Sequence, residues 1–217
     1  MRVRIPLLGA ATTALTVAVL AVGTPAQAAG VVLSQGHVDA VDVAFEGGAF
    51  ELSVHDETVE PDVERDPASV VFRVPSRAAV TVPADPAYAF LGSPGSTVYV
   101  LPEVQDPALL WAGLATEELE PGVFAGDSVR IRFRQVLGPD GFSLFATDPA
   151  GAPLVAVDSE NGLPDIVTLP VATHAHYNWA FERPGTYRIK VDVTARLAST
   201  GATVTSDPVW LKFVVCA

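Results

Sequence analysis

The sequence predicts an all-β protein: an Ig-like β-sandwich in the C-terminal part, with a smaller N-terminal β unit packed against it. Three observations lead there. After residue 30, short runs of Val, Phe, Thr and Tyr alternate with polar residues along most of the chain. Gly, Pro and Asp interrupt those runs at close intervals, as strand-ending turns require. No stretch beyond the first thirty residues joins a 3.6-residue apolar period to helix caps.

The first 28 residues read differently. Arg2 and Arg4 precede an apolar run from Ile5 to Val22, and Ala26-Gln27-Ala28 follows. A basic start, an apolar middle and an A-x-A site describe a secretory leader cut after Ala28. The run is close to the length of a bilayer span, so an uncleaved anchor is the alternative. No second span is expected in the remainder, which ends "WLKFVVCA". A secreted, extracellular protein is expected, either free or associated with the cell surface.

The next segment, "VDAVDVAFEGGAFELSVHDE", reads as a hairpin. Val41, Val43 and Phe45 share one face, Gly47-Gly48 reverses the chain, and Phe50, Leu52 and Val54 follow in phase. "SVVFRV", "AAVTV" and "STVYVL" add short strands. The pattern loosens over "GLATEELEPGVFAG", which suggests an N-terminal unit over residues 29–115 and a C-terminal sandwich over residues 116–217. About seven strands follow at the spacing of an Ig-like sandwich, from "DSVRIRFRQV" to "TVTSDPVWLKFVV". In "FERPGTYRIKV" a turn followed by Tyr187 has the form of a tyrosine corner.

Charge narrows the function. The chain has 13 basic and 25 acidic residues, a formal net charge of −12. Such a surface repels nucleic acid and anionic lipid and attracts cations. Cys216 is the single cysteine, so no intrachain disulfide is available, and a frayed terminus is expected around it. Stability must come from packing. No G-x-S-x-G elbow, H-E-x-x-H helix, phosphate loop or paired-carboxylate dyad stands out, so no enzyme is expected. A zinc ion held by three histidines, with one open position, is the hydrolytic alternative.

The histidines carry the sharper signal. In "THAHYNWAFERPGTYRIKV", strand alternation puts Tyr177, Trp179 and Phe181 on one face as core anchors. His174, His176 and Asn178 then share the other face. Two imidazoles at i and i+2 stand roughly 7 Å apart at Cα and can reach one metal ion. His37 and His55 lie at strand ends beside Asp39, Asp56 and Glu57. Three or four histidines with an optional carboxylate suit Zn²⁺, or Cu²⁺ or Ni²⁺. One obstacle stands out. If Phe45 pairs with Phe50, His37 falls opposite Thr58 and His55 opposite Ala40, on opposite faces of the hairpin. A bulge or bend between His37 and Val41 must break that register before both can join one site. Four unrelated surface histidines are the alternative.

Four blocks, "GHVDAVDV…FELSVHDET", "YAFLGSPGSTVYVLPEVQDPALLWAGLAT", "VLGPDGFSLFATDPAGAP" and "THAHYNWAFERPGTYRIKV", occur in that order. Together they resemble the actinobacterial surface-anchored domain family, also called the choice-of-anchor M domain, over about residues 31 to 215. Its members tend to be secreted or wall-attached and to accompany metal-type ABC transporters. The resemblance implies extracellular metal handling, with zinc as the ion and His37, His55, His174 and His176 as ligands. It also implies a protein partner, the substrate-binding protein of a metal importer. Without a wall-sorting tail, a freely secreted or complex-bound form is expected. A structural or adhesive Ig-like module with incidental histidines is the competing function.

Overall fold

A computed structural model describes residues 30–217. The expected leader, residues 1–28, lies outside the described residues. Among the described residues the chain forms seventeen strands and three short 3₁₀ turns. The first eight strands are β1 (Val31–Leu33), β2 (Gly36–Glu46), β3 (Ala49–Asp56), β4 (Val63–Arg65), β5 (Val70–Val74), β6 (Ala79–Thr81), β7 (Thr97–Leu101) and β8 (Leu110–Ala115). Next come β9 (Ser128–Leu137), β10 (Phe142–Thr147), β11 (Pro153–Asp158), β12 (Asp165–Pro170) and β13 (His174–His176). The last four are β14 (Asn178–Phe181), β15 (Gly185–Arg196), β16 (Thr203–Thr205) and β17 (Val209–Val215). The protein is an all-β sandwich.

Three sheets are present. A seven-stranded sheet runs β1-β5-β17-β15-β9-β12, with β16 on β15. A five-stranded antiparallel sheet runs β11-β10-β14-β7-β6. A second five-stranded sheet runs β13-β8-β2-β3-β4, and its β2–β8 pair is parallel. The expected division at residue 115/116 does not separate these sheets, because each takes strands from both sides of it. β5 pairs with β17, β7 with β14, and β8 with β13. Long-range pairing of this kind leaves no local signature, whereas strand alternation does.

The first two sheets face each other through aromatic rings. Trp179 and Phe181 of β14 meet Phe213 of β17 at centroid distances of 5.4 and 5.0 Å, and Phe133 of β9 stands 6.2 Å from Trp179. All four rings are fully buried. Each removes roughly 150–250 Å² from water, on the order of 4–6 kcal/mol per ring before ordering costs. Tyr187 closes the corner as expected: its hydroxyl accepts from the Arg183 N–H at 3.2 Å and donates to the Arg183 carbonyl at 3.1 Å. The third sheet joins the same core, with Phe45 and Phe50 against Phe124 at 5.1 and 5.2 Å.

The β2–β3 hairpin has the expected turn. Gly47 and Gly48 have φ of 57° and 89°, the left-handed values that a tight two-residue hairpin demands and glycine meets without strain. Phe45 pairs with Phe50, as read from the sequence. The end of the chain is tied down rather than frayed, since the Cys216 N–H donates to the Val74 carbonyl at 2.9 Å.

Candidate metal centre

The hairpin register slips by one residue on β2 between Asp39 and Asp42. That slip is the break which the sequence required near His37–Val41. After it Asp39, not Ala40, stands opposite His55. The parallel neighbour β8 sets Trp111 beside His37 and Gly113 beside Asp39. On its other edge β8 takes β13, with His176 opposite Gly113 and His174 opposite Ala115. One row therefore crosses all five strands: His176, Gly113, Asp39, His55 and Glu64. Partners in such a row share a sheet face.

On that face three imidazoles gather. The Nε2 atoms of His37 and His174 stand 3.1 Å apart. One nitrogen from each of His37, His174 and His176 lies within 4.8 Å of the others. The opposite nitrogens face carboxylates or a carbonyl. His37 Nδ1 meets Glu57 Oε2 at 2.9 Å, and His174 Nδ1 lies 3.7 Å from Glu117 Oε2. His176 Nδ1 donates to the Ala112 carbonyl at 3.1 Å. The carbonyl partner on His176 Nδ1 fixes its tautomer and frees its Nε2 to ligate a metal. Trp111 holds the His176 ring flat, stacked at 3.6 Å and 4° between planes, and its own Nε1–H donates to the Glu103 carbonyl at 2.9 Å.

Asp39 completes the group. It is 1% exposed, and neither of its oxygens accepts a hydrogen bond. Its Oδ1 lies 3.0 Å from His174 Nε2, a close approach without hydrogen-bond geometry. His176 Nε2 is likewise buried and unpartnered. Two other buried carboxylates among the described residues, Asp56 and Asp192, are satisfied. Asp56 accepts from Arg65 Nε at 2.7 Å and from the Thr58 N–H at 2.9 Å. Asp192 is held by Arg132 Nε at 2.6 Å and Arg134 Nη1 at 2.7 Å. An uncompensated buried carboxylate costs several kcal/mol, so a carboxylate with both oxygens bare, as at Asp39, needs a reason.

The floor beneath the group is Gly113. A Cβ there would overlap Asp39 Oδ1 and come within 2.8 Å of His174 Nε2 and 3.2 Å of His176 Cε1. The three side chains lean into the space that the missing Cβ leaves open.

Electrostatics agree with the geometry. Burial pushes the His176 imidazole down to about 4, so it is neutral at physiological pH and ready to act as a ligand. Burial raises the Asp39 carboxyl, and His174 and His37 draw it back only in part, so the net shift is upward. A simple His174–Asp39 ion pair would serve one oxygen and leave Asp39 Oδ2 and His176 Nε2 bare. A divalent ion would serve them all. In a tetrahedral zinc site with bonds near 2.0–2.1 Å, neighbouring ligand atoms sit about 3.3 Å apart. The separations of 3.1 and 3.0 Å lie near that spacing, and His37 Nε2 stands 4.0 Å from Asp39 Oδ1.

No protein-family model, curated protein or solved structure matches the chain.

Of the four histidines expected at one site, His37, His174 and His176 come together and His55 does not. The slip in β2 turns His55 to the same face, but its nitrogens point away from the trio. His55 Nε2 meets Asp62 Oδ2 at 2.8 Å, and Nδ1 lies 3.6 Å from Glu64 Oε1. It groups instead with Asp42 and Glu64. Burial lowers the His55 imidazole, but Asp62 and the carboxylates of Glu64, Asp42 and Glu57 outweigh it, and the net shift is upward. Burial first, then Glu64, Glu118 and Asp39, raise Asp42 to about 7. The aromatic anchors Trp179 and Phe181 are fully buried, as alternation predicts. Asn178 departs from the expected solvent face. The chain leaves one sheet after His176 and enters another at Asn178, and the Asn178 amide donates to the Phe145 carbonyl at 3.2 Å. Asp39 is not among the ligands read from the sequence, although His37-Val38-Asp39 repeats the i, i+2 spacing of His174-Ala175-His176 and could have marked it. Gly113 and Trp111 carried no such signal.

Proposed function

We propose that this protein binds a transition-metal ion outside the cell, Zn²⁺ before Cu²⁺ or Ni²⁺, through His37, His174, His176 and Asp39. The observation that carries this is the convergence of two unpartnered buried groups, Asp39 and His176 Nε2, on the 3.1 Å gap between His37 and His174. Three imidazoles and a carboxylate are a borderline donor set that favours zinc among common divalent ions. Four protein ligands fill a tetrahedral shell, which supports holding an ion over activating water. His37 and His174 keep side-chain exposures of 16% and 22%, so an ion has a path in and out. The acidic surface draws cations toward that opening. The leader supports secretion. The family resemblance supports storage, or delivery to the binding protein of an importer.

Metal analysis of the purified chain after dialysis without chelator, followed by a competition titration, tests the reading. One tightly held zinc per chain is expected. A metal-free protein that takes up no zinc overturns it and leaves the sandwich as a structural or adhesive module.

A further inference from the structure

We propose that Asp42, His55 and Glu64 form a second divalent-cation site on the same sheet face, distinct from the three-histidine centre. It takes a transition ion in an open, partly hydrated shell. One ligand atom from each of the three residues lies within 4.8 Å of the others. They come from β2, β3 and β4, three adjacent strands whose pairing is fixed by the ladder. The arrangement around His55 repeats that around His37. A carboxylate, Asp62, takes the outer nitrogen Nε2 at 2.8 Å, and the inner nitrogen Nδ1 faces the group, 3.6 Å from Glu64 Oε1. That is how proteins orient an imidazole toward an ion. Ser53 donates its hydroxyl to the other Glu64 oxygen and holds that carboxylate in place.

Two further observations point to a cation. Asp42 is 3% exposed, and its Oδ1 accepts only the Val43 N–H, at 2.9 Å. In addition, the five strands of this sheet carry one basic side chain, Arg65. Arg65 turns to the other face, where it is bound to Asp56 at 2.7 Å. The face that carries Asp39, Asp42 and Glu64 therefore lacks Lys and Arg on its strands, and His55 is the cationic partner nearest at hand.

The donor sets rank the two sites. One imidazole and two carboxylates, with Glu64 47% exposed, make a weaker and faster-exchanging site than three imidazoles and a buried aspartate. Asp39 joins them. It contacts His174 in the first site and stands opposite His55 in the ladder. An ion caught at the exposed site lies about two strand spacings, roughly 10 Å, from the buried one.

Calorimetric titration of the full chelator-stripped chain with Zn²⁺ at pH 7 tests this. Two ions per chain are expected, the second at least tenfold weaker than the first. His55→Ala and Glu64→Gln should each remove the second step and leave the first. His174→Ala with His176→Ala should remove the first and leave the second. Histidine ¹⁵N shifts should show Nδ1 of His55, not Nε2, responding in the second step. A wild-type chain that binds one ion overturns the proposal. So does a second equivalent that survives both His55→Ala and Glu64→Gln, because that is diffuse binding to an acidic surface. A first step unchanged by loss of His174 and His176 overturns the three-histidine centre instead.

Discussion

His37 and His174 lie 137 residues apart in the chain and bring their Nε2 atoms within 3.1 Å. At that distance two imidazole lone pairs repel unless a proton or a metal ion lies between them. A proton serves those two nitrogens only and leaves Asp39 and His176 Nε2 unpartnered. A divalent ion satisfies all four groups. Replacing His174 and His176 together with Ala should therefore abolish tight Zn²⁺ binding while the fold survives. Both side chains are only half-buried and make no contact that the aromatic core depends on. Affinity for the parent chain should also fall below about pH 6, because ligating imidazoles must be neutral. Calorimetric stoichiometry unchanged in the double variant sinks the assignment.

Asp39→Asn should move stability and affinity in opposite directions. Without metal, the wild-type carboxylate is buried with no hydrogen bond. Removing its charge at nearly constant shape should stabilise the metal-free chain by about 1–3 kcal/mol. Zn²⁺ affinity should fall by tenfold or more, since a neutral amide is a poor ligand. Urea melts and metal titrations on one preparation read both. A variant that is less stable without metal and binds zinc as before contradicts the role given to Asp39.

Gly113→Ala tests the floor of the site. The added methyl would overlap Asp39 Oδ1 and crowd His174 Nε2 at 2.8 Å. Overpacking of this kind costs about 1–3 kcal/mol, and the side chains it displaces are the proposed ligands. Zinc affinity should drop by far more than the stability change accounts for. A chain that binds zinc normally with alanine at this position would mean that the ligands do not use the space above residue 113.

Strand alternation made much of this legible in advance. It placed Trp179 and Phe181 in the core, set the Phe45–Phe50 register, and exposed the need for a break near His37–Val41. It could not show which strand lies beside which. β8 ends in "GLA", where the sequence pattern begins to loosen, yet it sits between β2 and β13 and supplies Gly113 and Trp111. Its neighbours on either side come from segments more than sixty residues apart in the chain, and a parallel pair leaves no turn to read. The destination of His55 was hidden for a related reason. A one-residue slip decides its face, but the carboxylates of β4 and the preceding turn decide where its ring points. "VER" is too short to read as a strand.

Glu182 gives a pH dependence unconnected with the metal centre. Burial, then the carboxylates of Glu160, Asp140 and Asp158, raise it to about 7 from an ordinary value of 4.5. An acid raised on folding favours the folded state while protonated. Its contribution is complete below the unfolded value and is lost as pH rises through about 7. The metal-free chain should therefore be less stable to urea at pH 8 than at pH 5.5, and Glu182→Gln should reduce that slope but not abolish it, because Asp42, also raised to about 7, loses stability over the same range. A variant with the parent's full slope would place the alkaline loss elsewhere.

Trp179 connects the core to the site through one atom. Its Nε1–H donates to the Ala112 carbonyl at 3.2 Å, and the same oxygen accepts His176 Nδ1–H at 3.1 Å. Trp179 is 0% exposed and packs on Phe133, Phe142 and Phe213. Trp179→Ala should cost about 3–5 kcal/mol, the range for deleting a large buried aromatic, and should weaken zinc binding because β8 loses support beneath His176. Trp179→Phe separates the two effects. It keeps much of the packing but removes the donor and part of the buried ring, so stability should fall by about 1–3 kcal/mol. The Ala112 carbonyl is then left to His176 alone, which keeps the imidazole in the tautomer that offers Nε2, and zinc affinity should stay within a few-fold of the parent. A Trp179→Ala chain as stable as the parent in urea melts would put the wrong face of β14 in the core. Zinc binding lost in Trp179→Phe would show that Ala112 needs both donors to hold His176 in place.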